Sequence, residues 1–217
     1  TERLAFVEDP AETRVGLADP KRPDLPRPRA VVFEPRKAGV EGEGEVSMGL
    51  IFEKIFRSKP SRVICSECRD EVTTYWTLQA MNIGLHGSIS SVHVESPQEV
   101  AVRLSDMLAG YKGAYSTLAS RAGAVAAAEL VIYLGQINGH RRMLDICEIR
   151  RDNKPEAFPE VIPLLTFRNE GFGEDNEPLG EIRPTGEMPL FLNKRKVEML
   201  LTPEELEELR GFFNAQY

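Results

Sequence analysis

The chain has 217 residues, 41% hydrophobic and 28% charged, ordinary values for a globular protein with room for a sizeable core. Its formal charge of -7 argues against DNA or RNA as the main ligand, because phosphate backbones demand a basic surface, yet leaves room for a nucleotide in a local positive pocket. No apolar run approaches the ~18 residues of a membrane-spanning helix, no secretory signal is visible, and three cysteines give no disulfide framework, so a cytoplasmic protein is expected.

The chain opens on Thr1-Glu2-Arg3 without Met and is expected to be trimmed, or part of something longer. Leu4 to Val7 reads as a buried strand closed by Glu8-Asp9. Asp19 to Pro28 holds four prolines among cations and reads as an extended surface loop, since proline forbids helix and ladder pairing. Ala30 to Glu34 reads as the next strand, followed by a Gly-rich turn through Gly44. Val46 to Phe56 has apolar residues at helical spacing, and Pro60 stops it.

The stretch Arg62 to Pro97 organises the rest. Val63-Ile64-Cys65 is a short apolar run that ends near a carboxylate, Glu67. A helix is expected from about Asp70 to Asn82, then a turn through Gly87, then a second run, Ile89 to His93, ending in a histidine. Two strands that end in functional groups at one edge are how open α/β sheets build ligand sites. A strand-end carboxylate is also how nucleotide-hydrolysing enzymes hold Mg²⁺ or aim a water. Cys65 and Cys68 form a CxxC pair, but no second pair exists and Cys147 is isolated, so small core filler is the expected role.

Farther on, Pro97 to Leu108 reads as an amphipathic helix and Leu118 to Ala128 as an Ala-rich one. Leu130 to Leu134 and Arg142 to Ile149 read as strands joined at Asn138-Gly139, a strong type I′ hairpin signal. Val161 to Phe167 is a further strand, Asn169 to Leu179 an acidic, mobile loop, and Pro203 to Phe213 a helix with Thr202 and Glu205 as a capping box. The division expected is a main domain over 1–150 and a C-terminal appendage over 151–217.

Several of these stretches resemble one family in order along the chain: the hexameric secretion ATPases of type II and type IV secretion, in particular the CpaF-like motors of tight-adherence pili. Ser66-Glu67-Cys68-Arg69 is similar to their Walker B end, Ala80-Met81-Asn82-Ile83-Gly84 to the helix end that follows, and Gly87-Ser88-Ile89-Ser90-Ser91-Val92-His93-Val94-Glu95-Ser96-Pro97 to their histidine box. The segment Glu2 to Glu12 resembles their Asp box. The resemblance implies an α/β, RecA-like core with a mainly parallel sheet flanked by helices, an antiparallel hairpin and a small appendage.

The same resemblance implies roles. Glu8 would orient or deprotonate the attacking water, and Glu67 would handle Mg²⁺ and water, with Asp9 or Glu12 helping near the metal. His93 would sense the γ-phosphate. Arg36, Arg57 and Arg62 match family arginines that meet phosphate. ATP and Mg²⁺ are the implied ligands, and a homo-oligomer, a hexamer, at the cytoplasmic face of the inner membrane with platform proteins is the implied assembly. Read locally, each of these residues also has a plain use: strand-end carboxylate, backbone-bonded histidine, solvated helix-end cation.

The chain has no GxxxxGK[ST] loop, which in the family precedes the segment matching Glu2-Arg3, so the isolated 217 residues are expected not to hydrolyse ATP. Ser66, Asp70, Leu85 and Glu95 depart from the family pattern. They keep open an alternative, a non-catalytic ring or assembly subunit of a secretion system.

Overall fold

The computed structural model describes residues 2–12, 29–40, 43–111, 115–151, 157–193 and 200–214. It divides into two compact units, 1–93 with 103–127, and 94–102 with 128–217. The proline-rich stretch Asp19 to Pro28 lies outside the described residues.

The first unit is built on a four-stranded parallel sheet of order β2-β1-β3-β4. The strands are β1 (Arg3–Val7), β2 (Arg29–Phe33), β3 (Arg62–Cys65) and β4 (Ile89–Ser90). Val7 pairs with Phe33 on one side and Cys65 on the other, and Cys65 pairs with Ser90. Alternation does the packing: Ala5 and Val7 of β1 and Val63 and Cys65 of β3 join one buried cluster with Ile51, Phe52, Ile55 and Ala80. β4 is shorter than expected. It stops at Ser90, which leaves Ser91 to His93 as loop.

Helix α1 (Met48–Ser58) begins where Ser47 accepts a hydrogen bond from the Leu50 N–H, at 3.3 Å. Val46, expected inside this helix, instead pairs with Arg36 in an isolated antiparallel bridge. Helix α2 (Glu71–Asn82) is capped by Asp70, whose carboxylate accepts from the Thr73 N–H at 2.8 Å. Phe52 is fully buried and stacks on Trp76, ring centroids 6.2 Å apart. Helix α3 (Glu99–Gly110) and helix α4 (Leu118–Val125) follow the sheet in sequence.

The second unit carries an antiparallel sheet of order β5-β6-β7-β8. Its strands are β5 (Leu130–Ile137), β6 (His140–Arg150), β7 (Glu160–Phe172) and β8 (Pro178–Pro184). Asn138 and Gly139 both have positive φ, 50° and 85°, as a type I′ turn requires. Leu164, Leu192 and Phe213 form the core that seats the helix Pro203–Asn214. Thr202 and Glu205 exchange their capping-box hydrogen bonds, at 2.7 and 3.2 Å.

Two expectations need correction. The division does not fall at 150, because β6 runs through that point and pairs with β7 from Arg150↔Glu160 onward, so the β5–β6 hairpin belongs to the second unit. The acidic stretch Asn169 to Leu179 is mostly strand, not loop. β7 runs to Phe172, a tight turn closes with Gly173 N–H on Glu177 C=O at 2.8 Å, and β8 starts at Pro178. Two of its acids are paired while staying half exposed: Glu170 meets Arg183 and Glu177 meets Arg142.

Phe52→Ala should remove about 3–5 kcal/mol of unfolding free energy. Trp76 is the single tryptophan and stacks on Phe52, so its fluorescence in a urea titration reports the loss directly.

Candidate functional site

Parallel strands leave a sheet at the same edge, so the residues just past β1, β2, β3 and β4 come together there. Those residues are Glu8, Glu34, Ser66-Glu67 and Ser91 to His93. Backbone bonds continue between the chains after the strands end. Glu8 N–H donates to Phe33 C=O at 3.1 Å, Ser66 N–H to Val7 C=O at 2.8 Å, and Cys68 N–H to Ser91 C=O at 2.7 Å. The Ser91 hydroxyl adds a 2.6 Å bond to Ser66 C=O. The loops that carry the candidate side chains are thus fixed to one another.

Glu67 and His93 approach to 3.5 Å, carboxylate to Nε2, with Glu67 one-third exposed and the imidazole 91% exposed. Glu8 is buried on the strand next to that of Glu67, and one of its carboxylate oxygens accepts the Glu12 N–H at 3.1 Å. Glu34 accepts the Ala11 N–H at 3.2 Å. Asp9 faces sideways: its carbonyl and its carboxylate both engage Arg69, which stands two residues past Glu67. The Glu12 side chain is exposed.

The arginines are spread out. Arg36 follows β2, is exposed, and gives its Nε to Gly44 C=O at 2.8 Å. Arg57 sits in the last turn of α1 and pairs with Glu53 at 2.8 Å, its side chain 71% exposed. Arg62 starts β3 and so stands at the opposite edge from Glu67. There it forks onto both carboxylate oxygens of Glu2, at 2.9 and 2.7 Å, and that partner raises its already high pKa.

Carboxylate oxygens suit a hard cation, and Mg²⁺ takes only one or two of them, completing its shell with water and phosphate oxygens. Glu67 fits that pattern. Among the described residues no group of three or more His, Cys, Asp or Glu forms a closed metal cage. The Asp9 carboxylate engages Arg69.

Two of the four departures from the resemblance, Asp70 and Leu85, have structural uses for their side chains, while Ser66 and Glu95 contribute through their backbone. Asp70 caps α2. Leu85 packs on the core of the first unit. Ser66 supplies the N–H and C=O that bind Val7 and Ser91. The Glu95 carbonyl, in the second unit, accepts the Tyr133 hydroxyl at 2.5 Å. Two residues escaped sequence reasoning. Glu34 was readable as a third strand ending in a carboxylate, whereas the grip of Arg69 on Asp9, 60 positions away, left no local signal.

The comparisons come down to one family. Residues 1–158 match the family described as type II/IV secretion system protein. The chain belongs to that family. Two proteins of Mycobacterium tuberculosis, strains CDC 1551 / Oshkosh and ATCC 25618 / H37Rv, are named as conjugal transfer proteins and are 32% identical over 152 residues. That match covers 69% of this chain and 39% of theirs, so the chain spans about two fifths of the length of these relatives. The VirB11 ATPase of the Brucella suis type IV secretion system, solved with sulphate, shares the fold at a TM-score of 0.52 and 20% identity, over 68% of this chain and 40% of that one. Among the described residues no helix is long and apolar enough to cross a membrane.

The CxxC pair lies beside the site but is sealed from it. Cys65 and Cys68 are free and buried, and burial raises both thiols, Cys68 to about 11 from an ordinary 9.0. The folded pKa exceeds the unfolded one, so Cys68 contributes stability in full below about pH 9 that is lost as pH rises toward 11. Neither thiol should react with a disulfide reagent at pH 8 in the folded chain, and both should react once urea unfolds it.

Proposed function

We propose that this chain is the later part of a secretion-motor ATPase, a machine that couples ATP hydrolysis to moving or assembling protein subunits. What supports this reading is the placement of Glu8, Glu67 and His93 past adjacent parallel strands at one edge, with Glu67 and His93 at 3.5 Å.

In this reading the terminal phosphate of ATP lies over that edge. Mg²⁺ would be held through Glu67 and would neutralise charge on the phosphate oxygens. Glu8 accepts the proton of the attacking water, held in place by the Glu12 N–H on its other oxygen. His93, exposed and in reach of Glu67, donates to the γ-phosphate and reports its loss through the Ser91–Ser66 contact. Among the described residues Arg57 is bound by an exposed i,i+4 pair of the kind that contributes little, so it can be redirected to phosphate, and Arg36, past β2, is assigned the same use. Arg62 we assign to the Glu2 clip instead, because it stands at the far end of β3. The assembly is a homo-oligomeric ring, a hexamer, in the cytoplasm against inner-membrane platform proteins.

A second reading, a ring or assembly subunit without hydrolysis, has one observation in its favour: the Asp9 carboxylate is taken by Arg69 rather than offered to a metal.

Turnover of the full polypeptide that contains this chain separates the two. Glu67→Gln should lower its kcat at least ~100-fold and leave KM for ATP within a few-fold, the pattern of a group acting on the reacting water. The 217-residue chain alone should show no turnover. A full polypeptide that binds ATP without hydrolysing it would support the assembly subunit, and a rate indifferent to Glu67→Gln would remove that residue from the mechanism.

A further inference from the structure

The loop after β1 carries Glu8 and the loop after β3 carries Glu67, and one side chain spans the gap between them. Arg69 Nη1 donates to the Asp9 carbonyl at 3.3 Å, and Nη2 engages the Asp9 carboxylate. The planar guanidinium holds both the backbone and the side chain of Asp9, which a single point charge cannot do. Asp9 is the neighbour of Glu8 in sequence, and Arg69 stands two residues from Glu67.

Among the described residues, two further ties of the loop are made to other groups. Ala11 is bonded to Glu34 past β2, and Glu12 to Glu8 within the loop. Past the last strand residue, the side chain of Arg69 is therefore a grip that reaches the Glu8 loop from the Glu67 side. It is also a cation close to two carboxylates, gripping Asp9 and placing its Nε 3.9 Å from the Asp70 carboxylate. Without it Asp9 would lose this compensation, and repulsion between like charges would favour a wider spacing of the two loops. The Asp9–Arg69 pair is nearly half exposed on both sides, so it contributes little to global stability and its effect is local.

We propose that Arg69 is a positioning residue: by gripping Asp9 through carbonyl and carboxylate it sets the spacing between Glu8 and Glu67. Its effect on turnover rests on the hydrolytic reading above, whereas its effect on the loop does not. A displacement of about 1 Å at such a site can cost on the order of 100-fold in rate.

Two measurements test it separately. In the 217-residue chain, hydrogen exchange at the Ala11 and Glu12 amides should quicken at least ~10-fold in Arg69→Ala, with Val63 and Ile64 unchanged and Arg69→Lys intermediate. Unchanged exchange at Ala11 and Glu12 overturns the proposal. If Arg69→Ala does not fold, Asp9→Ala, which removes the carboxylate half of the grip, should quicken the same amides to a smaller extent, and no change there overturns the proposal. In the full polypeptide, Arg69→Ala should lower kcat about 100-fold with KM for ATP within about twofold, and Arg69→Lys should restore part of the loss. Adding Asp9→Ala to Arg69→Ala should cost little more than Arg69→Ala alone, because the carboxylate contact is then already gone. Full additivity, or equal losses in binding and turnover, overturns the proposal. If the wild-type polypeptide does not hydrolyse ATP, the hydrolytic reading fails by itself and the exchange experiment still decides the role of Arg69.

Discussion

Hydrogen bonding between parallel strands β1, β3 and β4 dictates which side chains leave the sheet together. Val7, Cys65 and Ser90 stand in register, so Glu8 emerges one residue past the first, Glu67 two past the second and His93 three past the third. A slip of one residue would turn Val7 and Cys65 out of the core and replace them with Phe6 and Ile64. The packing of Ala5, Val7, Val63 and Cys65 against Ile51, Phe52 and Ile55 therefore holds the site's geometry as well as the fold. The bonds past the strand ends, Ser66 to Val7 and Cys68 to Ser91, carry that register into the loops.

The strand-end edge is acid-rich. Glu8, Asp9, Glu34, Glu67 and Asp70 outnumber Arg69 and the histidine at 93. A triphosphate brought to such an edge meets repulsion unless cations accompany it. In the hydrolytic reading those cations are Mg²⁺ and arginines: among the described residues Arg57 pairs with Glu53 in an exposed i,i+4 contact that permits movement, and Arg36 donates to the Gly44 carbonyl at 2.8 Å. Arg62, doubly bonded to Glu2 at the other edge, is part of the scaffold.

Local pattern made much of this legible. Apolar runs ending in Glu8 and Glu67, the Asp70 helix start and the Asn138-Gly139 turn all rest on interactions within a few residues, and the sequence displays them. The β7–β8 hairpin stayed hidden because its glycines and acids imitate a loop. Only pairing with Arg142 and Arg183, distant in sequence, turns Glu170 and Glu177 into cross-strand partners. The unit boundary was misplaced for the same reason, since Arg150 looks like an end until Glu160 returns to pair with it. Arg69 was readable as part of a motif, but its grip on Asp9 was not.

The central claim is that the edge past β1, β3 and β4, and not its opposite, faces the metal–nucleotide complex. His93 lies past β4 at that edge, and His86 lies before β4, toward the other. The most direct measurement is paramagnetic broadening of the two imidazole resonances in the full polypeptide, with Mn²⁺ replacing Mg²⁺ beside a non-hydrolysable ATP analogue. The account predicts that His93 broadens while His86 stays sharp. A sharp His93, or broadening at His86 instead, would contradict it.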